Sequence, residues 1–194
     1  LDELPEFKRH VLEVLREPLE EGAITISRAA GHTTFPATFN LIASMNPCPC
    51  GYFGSAEREC TCGEGAVERY RARISGPLLD RIDIHIEVPA VRVRELTSAD
   101  GTESSAAVRE RVVAARELQH ARFRGTRTRV NGRMSLRQIR EACALDAAGQ
   151  ALIEKAIARL GLSARAYARI LKVARTIADL DGAERIAVPH LAEA

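Results

Sequence analysis

The stretch of residues 41–45, Leu-Ile-Ala-Ser-Met, places the strongest constraint on the fold of this 194-residue chain. It is apolar on both faces, as expected of a central strand in a parallel sheet that helices cover on either side. Residues 24–28 alternate as a strand, residues 30–32 (Ala-Gly-His) suit a hairpin tip, and residues 33–45 return mostly as strand. Residues 82–88 alternate apolar and polar positions and predict another strand. The first part of the chain is therefore predicted to be α/β.

Helical periodicity predicts the remaining elements. Residues 5–19 carry an apolar stripe, and residues 67–74 form a polar helix. Later helices are predicted at 106–123, after Ser135, from Asp146 to about 160, from Ser163 to about 180, and from 188 onward. The sequence thus predicts part of an α/β core over residues 1–90, a linker over 91–104 and an all-helical domain over 105–194.

Composition restricts the environment and partners of the chain. No run approaches the ~20 apolar residues that span a bilayer, and no signal peptide is visible, so we expect a cytoplasmic protein without membrane contact. The net charge of +2 hides a division, because residues 1–90 hold 9 Lys/Arg against 14 Asp/Glu and residues 91–194 hold 19 against 12. Aromatic residues make up only 4%, which argues against nucleic-acid binding by base stacking.

Four of the five cysteines form two tight pairs, Cys48-Pro49-Cys50 and Cys60-Thr61-Cys62, each followed by glycine. Four thiolates suit tetrahedral zinc, and the glycines let backbone amides turn toward sulfur. Structural zinc sites usually separate paired cysteines by two to four residues, so reduced thiols without metal and a redox pair remain open alternatives. The fifth cysteine, Cys143, is expected to be a buried small apolar residue and not a ligand.

An adjacent acidic pair, Asp2-Glu3, stands where a buried strand should end. In a nucleotide-driven motor such an Asp holds Mg²⁺ through water, and the Glu polarises the water that attacks the γ-phosphate. Asn46 directly follows the strand at 41–45, at the sheet edge where ligands collect in α/β proteins. A solvated helix start for the acidic pair and a turn cap for Asn46 are the structural alternatives.

In combination these motifs resemble the magnesium chelatase-like branch of AAA+ ATPases, and within it the ComM (YifB) type. The resemblance rests on four stretches, residues 1–7, 45–51, 73–83 and 174–180. It implies the second half of an AAA+ core, starting at the Walker B motif, followed by a helical lid. The sequence contains no Gly-rich phosphate loop with Lys-Ser/Thr. The first half of the motor is therefore expected to lie outside this chain, and the chain alone is expected to hydrolyse no ATP.

The resemblance implies ATP and Mg²⁺ as cofactors and a homo-oligomeric ring, a hexamer, as the assembly. Asp2, Glu3 and Asn46 then become the Mg²⁺-holding carboxylate, the catalytic base and the sensor 1 residue that positions water. The cysteine array favours the ComM type over the metal-inserting chelatase subunits, and it makes a structural Zn²⁺ held by Cys48, Cys50, Cys60 and Cys62 part of the expectation.

Two arginines acquire roles from the same resemblance. Arg81, in a Leu-Leu-Asp-Arg-Ile-Asp stretch, is the expected arginine finger that reaches the nucleotide of a neighbouring subunit. An intrachain ion pair is its structural alternative, and Arg71 and Arg73 are near enough to be confused with it. Arg165, in the first turn of a lid helix, is the expected sensor 2 residue, with Arg169 one turn further on as its rival.

Two basic features are candidate contacts for nucleic acid. The stretch 118–140 contains no acidic residue, and its glycines suit a flexible loop that grips phosphates, although a solvated face or pairing with the acidic core would explain it too. Within it, Arg124, Arg127 and Arg129 are the main candidates. By resemblance, the hairpin before Asn46 points into the ring's pore, so that Arg28 and His32 contact a threaded strand. The arginines of the stretch are Arg122, Arg124, Arg127, Arg129, Arg133, Arg137 and Arg140.

The function that the resemblance implies is a DNA-acting ATPase motor, a helicase or branch-migration enzyme in natural transformation. One alternative is the ATPase subunit of a chelatase that inserts Mg²⁺ into a porphyrin. A second, from another class, is a zinc-stabilised interaction module without turnover of its own. Fold alone does not choose among them.

Overall fold

The computed structural model describes residues 1–29, 31–89 and 103–194. They fall into two compact units, Leu1–Val91 and Arg92–Ala194. Most of the linker predicted at 91–104, and Ala30 of the predicted hairpin tip, lie outside the described residues. Each unit has an apolar core of its own.

The N-terminal unit combines short helices with one β-hairpin. Its elements are a 3₁₀ turn (Leu4–Glu6), α1 (Arg9–Val14), α2 (Arg16–Glu21), β1 (Ala23–Arg28), β2 (Gly31–Pro36), α3 (Ala66–Arg71) and α4 (Gly76–Leu79). The antiparallel pairing of β1 with β2 confirms the predicted hairpin. The core of the unit consists of four buried aliphatic side chains, those of Leu4, Leu12, Ile74 and Leu78.

The single helix predicted over residues 5–19 is divided in the structure. Helix α1 ends at Val14 and α2 begins at Arg16. Pro18 explains the break, because it has no N–H to donate to the Val14 carbonyl and is tolerated only in the first turn of a new helix. Gly22, with φ of 67°, ends α2 as the sequence predicted.

The two further strands predicted in this unit are not assigned as strands. Residues 41–45 lie alongside the first residues of the chain, with too few backbone hydrogen bonds to be assigned as a ladder. Residues 82–88 are not assigned to a strand, and Ile84, Ile86 and Val88 are 63%, 77% and 83% exposed. Their alternation is correct for a strand, but a strand forms only where another segment supplies its hydrogen bonds.

The described residues of the C-terminal unit form helices and the loops that connect them. Its elements are α5 (Ser105–Arg122), a 3₁₀ turn (Asn131–Arg133), α6 (Leu136–Ala142), α7 (Ala147–Leu160), α8 (Ala164–Leu180) and α9 (Val188–Glu193). These bounds confirm the predicted helices to within a residue or two. No helix in the described part of the chain is both long enough and apolar enough to cross a membrane.

Local capping explains why these helices begin where the sequence indicated. The side chains of Ser135, Asp146 and Ser163 each accept a hydrogen bond from the backbone N–H three residues later. Helix α8 lies at the centre of the core and buries Leu171 together with the small residues at 174 and 178. The residues packed around this stripe include Phe123, Met134, Ile139, Cys143, Ile153, Ile186 and Leu191.

Candidate nucleotide site, cysteine cluster and arginine loop

The start of the chain pairs in parallel with the apolar stretch that leads to Asn46. The Leu1 amino group donates to the Ile42 carbonyl at 2.7 Å, and the Ser44 N–H donates to the Leu1 carbonyl at 2.9 Å. The Leu4 N–H donates in turn to the Ser44 carbonyl at 2.9 Å. This register brings the predicted acidic pair beside the segment of the predicted sensor residue.

Asp2 is held directly by that segment. Its carboxylate accepts hydrogen bonds from the Ser44 hydroxyl and, at 3.0 Å, from the Glu3 N–H. The Ser44 bond first, and then the Glu3 bond, lower the pKa of Asp2. A carboxylate that stays ionised provides the oxygen ligands that Mg²⁺ prefers, so Asp2 fits its predicted role.

Glu3 has an unusual backbone conformation. Its φ of 50° is the one positive value for a non-glycine residue in the described part of the chain. Such backbone strain costs on the order of 1–3 kcal/mol and clusters at functional sites. The strained residue coincides with the base that the sequence predicted, although its catalytic role remains a prediction.

Asn46 is exposed and follows Ser44 by two residues. Its backbone N–H interacts with the hydroxyl of Tyr70, which is only 5% exposed. Burial first, and then the charges of Glu6 and Glu3, raise the pKa of Tyr70, whereas the Asn46 N–H opposes the rise. The Asn46 main chain, Glu6 and Glu3 therefore all influence the pKa of one buried tyrosine, which the sequence did not indicate.

Arg81 makes an intrachain ion pair in the structure. Its guanidinium pairs with Glu20 at the end of α2 and donates to the Pro77 carbonyl at 2.6 Å. The rivals are engaged elsewhere, since Arg71 donates to the Pro47 carbonyl and Arg73 pairs with Glu6. The alternative role weighed for Arg81 is thus realised within this chain, and the finger role remains a prediction.

The two candidate lid arginines lie on the first two turns of α8. Arg165 is exposed, and Arg169 is partly buried. The predicted role of Arg165 as sensor 2 remains a prediction.

The four paired cysteines converge on one point. Their sulfur atoms all lie within 4.8 Å of one another. The separations are 3.3 Å for Cys48–Cys50, 3.7 Å for Cys48–Cys60 and 3.5 Å for Cys50–Cys60. Tetrahedral zinc with Zn–S bonds of about 2.3 Å sets its sulfurs about 3.8 Å apart, so the set fits this ion closely.

Hydrogen bonds from backbone amides and between the sulfur atoms shift the pKa values of the cysteines in the cluster. The Phe53 N–H donates to the Cys48 sulfur at 3.3 Å. The Tyr52 N–H is the main reason that the pKa of Cys50 falls to about 5. The Cys50 N–H interacts likewise with Cys62, but burial and the neighbouring sulfurs outweigh it and raise the pKa of Cys62 to about 12. Because a divalent metal needs thiolates, it must displace the remaining protons, and its affinity should increase with pH.

Cys143 is separate from this cluster. It is 4% exposed within the core of the C-terminal unit, which confirms the predicted small apolar role. Burial raises the pKa of its thiol to about 11.

The hairpin presents its two candidate residues to solvent. Arg28 lies opposite Gly31, and Ser27 lies opposite His32. The Nδ1 atom of His32 is 2.7 Å from the Ser27 hydroxyl oxygen, so a cross-strand contact orients the imidazole. Both Arg28 and His32 are exposed, as a contact with a threaded strand would require.

The arginine loop, residues 123–135, connects α5 with α6. Arg124, Arg127 and Arg129 are exposed on it. No carboxylate among the described residues forms an ion pair with these three side chains. The structure therefore leaves the three predicted phosphate contacts facing solvent.

This loop is anchored, which corrects the expectation of a flexible one. Phe123 and Met134, at its two ends, are 3% and 4% exposed. The Thr126 hydroxyl donates to the Phe123 carbonyl at 2.9 Å, and the Thr128 hydroxyl donates to Gln138 Oε1 at 3.0 Å. The glycines in the stretch suggested flexibility, but side-chain hydrogen bonds and apolar anchors hold the backbone.

A buried polar network forms the base of the loop. Asp179, 2% exposed, accepts hydrogen bonds from Arg122 at 2.8 Å, from Asn131 Nδ2 at 2.8 Å and from Arg175 Nε at 3.1 Å. Burial alone would raise the pKa of Asp179, but the bonds from Arg122 and Asn131 outweigh it and lower the pKa. Arg122 lies in the stretch predicted to contact phosphates, but it belongs to this network. The i, i+4 spacing of Arg175 and Asp179 was the available signal for the network.

Comparison with known proteins covers both units. The family model described as "Magnesium chelatase, subunit ChlI" matches residues 1–96, and the one described as "Magnesium chelatase, subunit ChlI C-terminal" matches residues 102–194. The chain is 47% identical over 195 residues to Competence protein ComM of Haemophilus influenzae, 44% identical to Uncharacterized protein YifB of Escherichia coli and 37% identical to Uncharacterized protein Rv2897c of Mycobacterium tuberculosis. Each alignment covers 100% of this chain but only 37–38% of the relative, so the chain spans little more than a third of their length.

Proposed function

Because the chain belongs to the magnesium chelatase ChlI family, we propose that it is the carboxyl-terminal part of a ring-forming AAA+ ATPase that acts on DNA in the cytoplasm. The observation that carries the proposal is the parallel pairing between the start of the chain and Ser44. It gathers an ionised aspartate, a strained glutamate and the segment of Asn46 at the end of one apolar stretch. Ligands of α/β proteins bind at such an edge.

Each residue of this edge has a distinct task in ATP hydrolysis. Bound MgATP supplies the phosphoryl group that is transferred to water. Asp2 would hold the Mg²⁺ ion, and its bond from Ser44 orients the carboxylate and lowers its pKa. Glu3 takes the proton of the attacking water, and Asn46 orients that water.

Arg81 completes the site of a neighbouring subunit in the proposed hexamer. Its partner in this chain is Glu20, whose side chain is 36% exposed. The Arg81 side chain itself is 14% exposed, so a replacement partner must match this largely buried pair, and guanidinium–phosphate contacts are strong and bidentate. The guanidinium can therefore exchange Glu20 for a neighbour's phosphate when the ring assembles.

DNA meets two surfaces in this proposal. The anchored loop offers three arginines that no described carboxylate neutralises, and arginine–phosphate contacts of this kind give sequence-independent affinity. The hairpin tip offers Arg28 and His32 to a strand that passes through the pore. We assign sequence-independent DNA binding to the loop. We assign the coupling of ATP turnover to movement of the DNA strand to the hairpin.

The cysteine cluster holds one structural Zn²⁺ in the proposed protein. The convergence of four sulfurs is also the observation that favours the second candidate function, a zinc-stabilised interaction module without turnover. The chelatase subunit is a third candidate. Identity of 47% to a protein named for competence supports the DNA motor over metal insertion into a porphyrin.

The test is the ATPase rate of the proposed full-length enzyme with and without branched DNA. The motor predicts basal turnover that DNA stimulates severalfold. Stimulation only by a porphyrin-binding partner subunit would favour the chelatase. A full-length protein that binds zinc but hydrolyses no ATP under any of these conditions would favour the interaction module.

A further inference from the structure

Helix α3 connects the cysteine cluster with the segment that carries Asn46. The helix begins at Ala66, four residues after Cys62, and the Ala66 N–H donates to the Gly63 carbonyl at 3.0 Å. The cluster therefore fixes the start of α3, because Cys62 is one of its members. At its other end the helix returns to the residues just before Cys48.

Two adjacent residues at the end of α3 make that return. Tyr70 is buried, and the backbone N–H of Asn46 is near enough to its hydroxyl to lower the pKa of the tyrosine. Arg71 donates from Nε to the Pro47 carbonyl at 3.2 Å. The end of the helix thus binds the Pro47 carbonyl and lies beside the Asn46 N–H, directly before the first cysteine.

A third contact connects Arg71 with the cysteine cluster through Phe53. The guanidinium of Arg71 lies over the ring of Phe53, 5.1 Å from its centre. The backbone N–H of Phe53 donates to the sulfur of Cys48, which is fully buried. The path therefore runs from the Cys48 sulfur through Phe53 and Arg71 to the carbonyl of Pro47, the residue that follows Asn46.

We infer that the cysteine cluster and α3 form a clamp that sets the main-chain position of Asn46, with Tyr70 and Arg71 as its positioning residues. Metal binding by the four thiolates then regulates the geometry of the candidate ATPase site. The regulatory consequence rests on the proposed function of Asn46. The clamp itself is a property of this chain and requires no nucleotide.

Amide hydrogen exchange of the 194-residue chain, resolved at Asn46, tests the clamp. Removing Zn²⁺ with a chelator should accelerate exchange at Asn46 about fivefold to tenfold, since one hydrogen bond is worth on the order of 1 kcal/mol. Adding Zn²⁺ alone should restore the slow rate. Tyr70→Phe should cause a similar acceleration with the zinc content unchanged, because it removes only the hydroxyl.

Tyr52→Phe is the matched control. Its hydroxyl accepts from Arg58 at 3.0 Å and belongs to the cysteine loop, so its loss should leave Asn46 exchange unchanged. Arg71→Gln provides an independent variant in case metal removal unfolds the unit, since it keeps all four cysteines yet should accelerate exchange at Asn46. If neither Zn²⁺ removal nor Arg71→Gln alters exchange at Asn46, the clamp is refuted.

ATP turnover of the proposed full-length enzyme separates the two hypotheses. Tyr70→Phe should lower kcat while ATP affinity stays the same. If exchange at Asn46 changes but turnover does not, the clamp stands and the catalytic role of Asn46 is contradicted. If exchange does not change, the clamp is wrong whatever the ATPase rate.

Discussion

At the scale of single residues, the environment of each arginine decides what it does. Arg122 lies on the helix that leads into a strongly basic stretch, yet it is turned toward the buried Asp179. Arg124, two residues later, faces solvent. A guanidinium bonded to a buried carboxylate stabilises the fold, whereas an exposed one without a counter-charge is available to phosphate. The charge pattern alone does not distinguish the two.

Asp179 should be essential for stability, since its loss leaves two arginines without a buried counter-charge. Asp179→Asn should lower the free energy of unfolding of the 194-residue chain by about 3–5 kcal/mol at pH 7, as measured by urea denaturation. Glu141→Gln, which breaks the exposed pair with Arg137, is the control and should cost less than about 0.5 kcal/mol.

The same residue should produce an acid dependence of defined sign. Because the pKa of Asp179 is lower in the folded state than its usual value of 3.8, its contribution is complete above that value and disappears as pH falls through the folded pKa. Stability of the wild-type chain should therefore decrease below about pH 4. If Asp179→Asn shows an equally steep decrease in this range, other carboxylates are responsible.

At the scale of elements, the sequence predicted what local chemistry decides. The helices of the C-terminal unit begin at capping side chains such as Ser135 and Asp146, and their bounds agree with the prediction because caps and periodicity are local. The division of the first helix followed from Pro18, a local signal that the apolar stripe obscured. The prediction of a strand at residues 82–88 is not matched by a strand in the structure, because strand pairing depends on partners that are distant in the sequence. The contact of Tyr70 with Asn46 is equally non-local and could not have been read from spacing.

The cysteine loop should depend on one bound metal ion. Protein purified without chelator should contain about one equivalent of zinc by elemental analysis, and Cys60→Ser should reduce this content sharply while destabilising the loop, because structural zinc contributes on the order of 10 kcal/mol in small sites. Cys143→Ala is the control and should retain the metal, since Cys143 lies in the other core. A metal-free chain with an equally protected loop would leave only four reduced thiols.

The arginine loop should determine the salt dependence of DNA binding. Replacing Arg124, Arg127 and Arg129 with Gln in the proposed full-length ring should weaken all DNA sequences about equally and reduce the slope of log affinity against log salt by roughly two to three. Arg137→Gln is the matched control, because Arg137 already pairs with Glu141. Arg28→Ala should instead spare static binding and uncouple ATP turnover from strand displacement. An unchanged slope in the triple variant would show that the loop is only a solvated face.

At the scale of the whole molecule, both units contribute residues to the proposed function. The N-terminal unit holds the acidic pair, Asn46, Arg81 and the cysteine cluster, and the C-terminal unit holds the lid arginines and the arginine loop. The charge division of the sequence follows the same boundary. In the proposed enzyme neither partner belongs to one unit alone, because Arg28 of the N-terminal unit would contact DNA and Arg165 of the C-terminal unit would serve the nucleotide.

The central claim is that Glu3 and Arg81 serve the same ATPase site from different subunits, and a mixing experiment on the proposed full-length enzyme tests it most directly. Glu3→Gln should bind ATP but hardly hydrolyse it, and Arg81→Ala should also be nearly inactive. Mixed under conditions of subunit exchange, the two variants should recover part of the wild-type ATPase rate, because some interfaces regain both an intact base and an intact finger. The 194-residue chain alone should show no turnover. Mixed rings that exchange subunits yet recover no activity would contradict the claim.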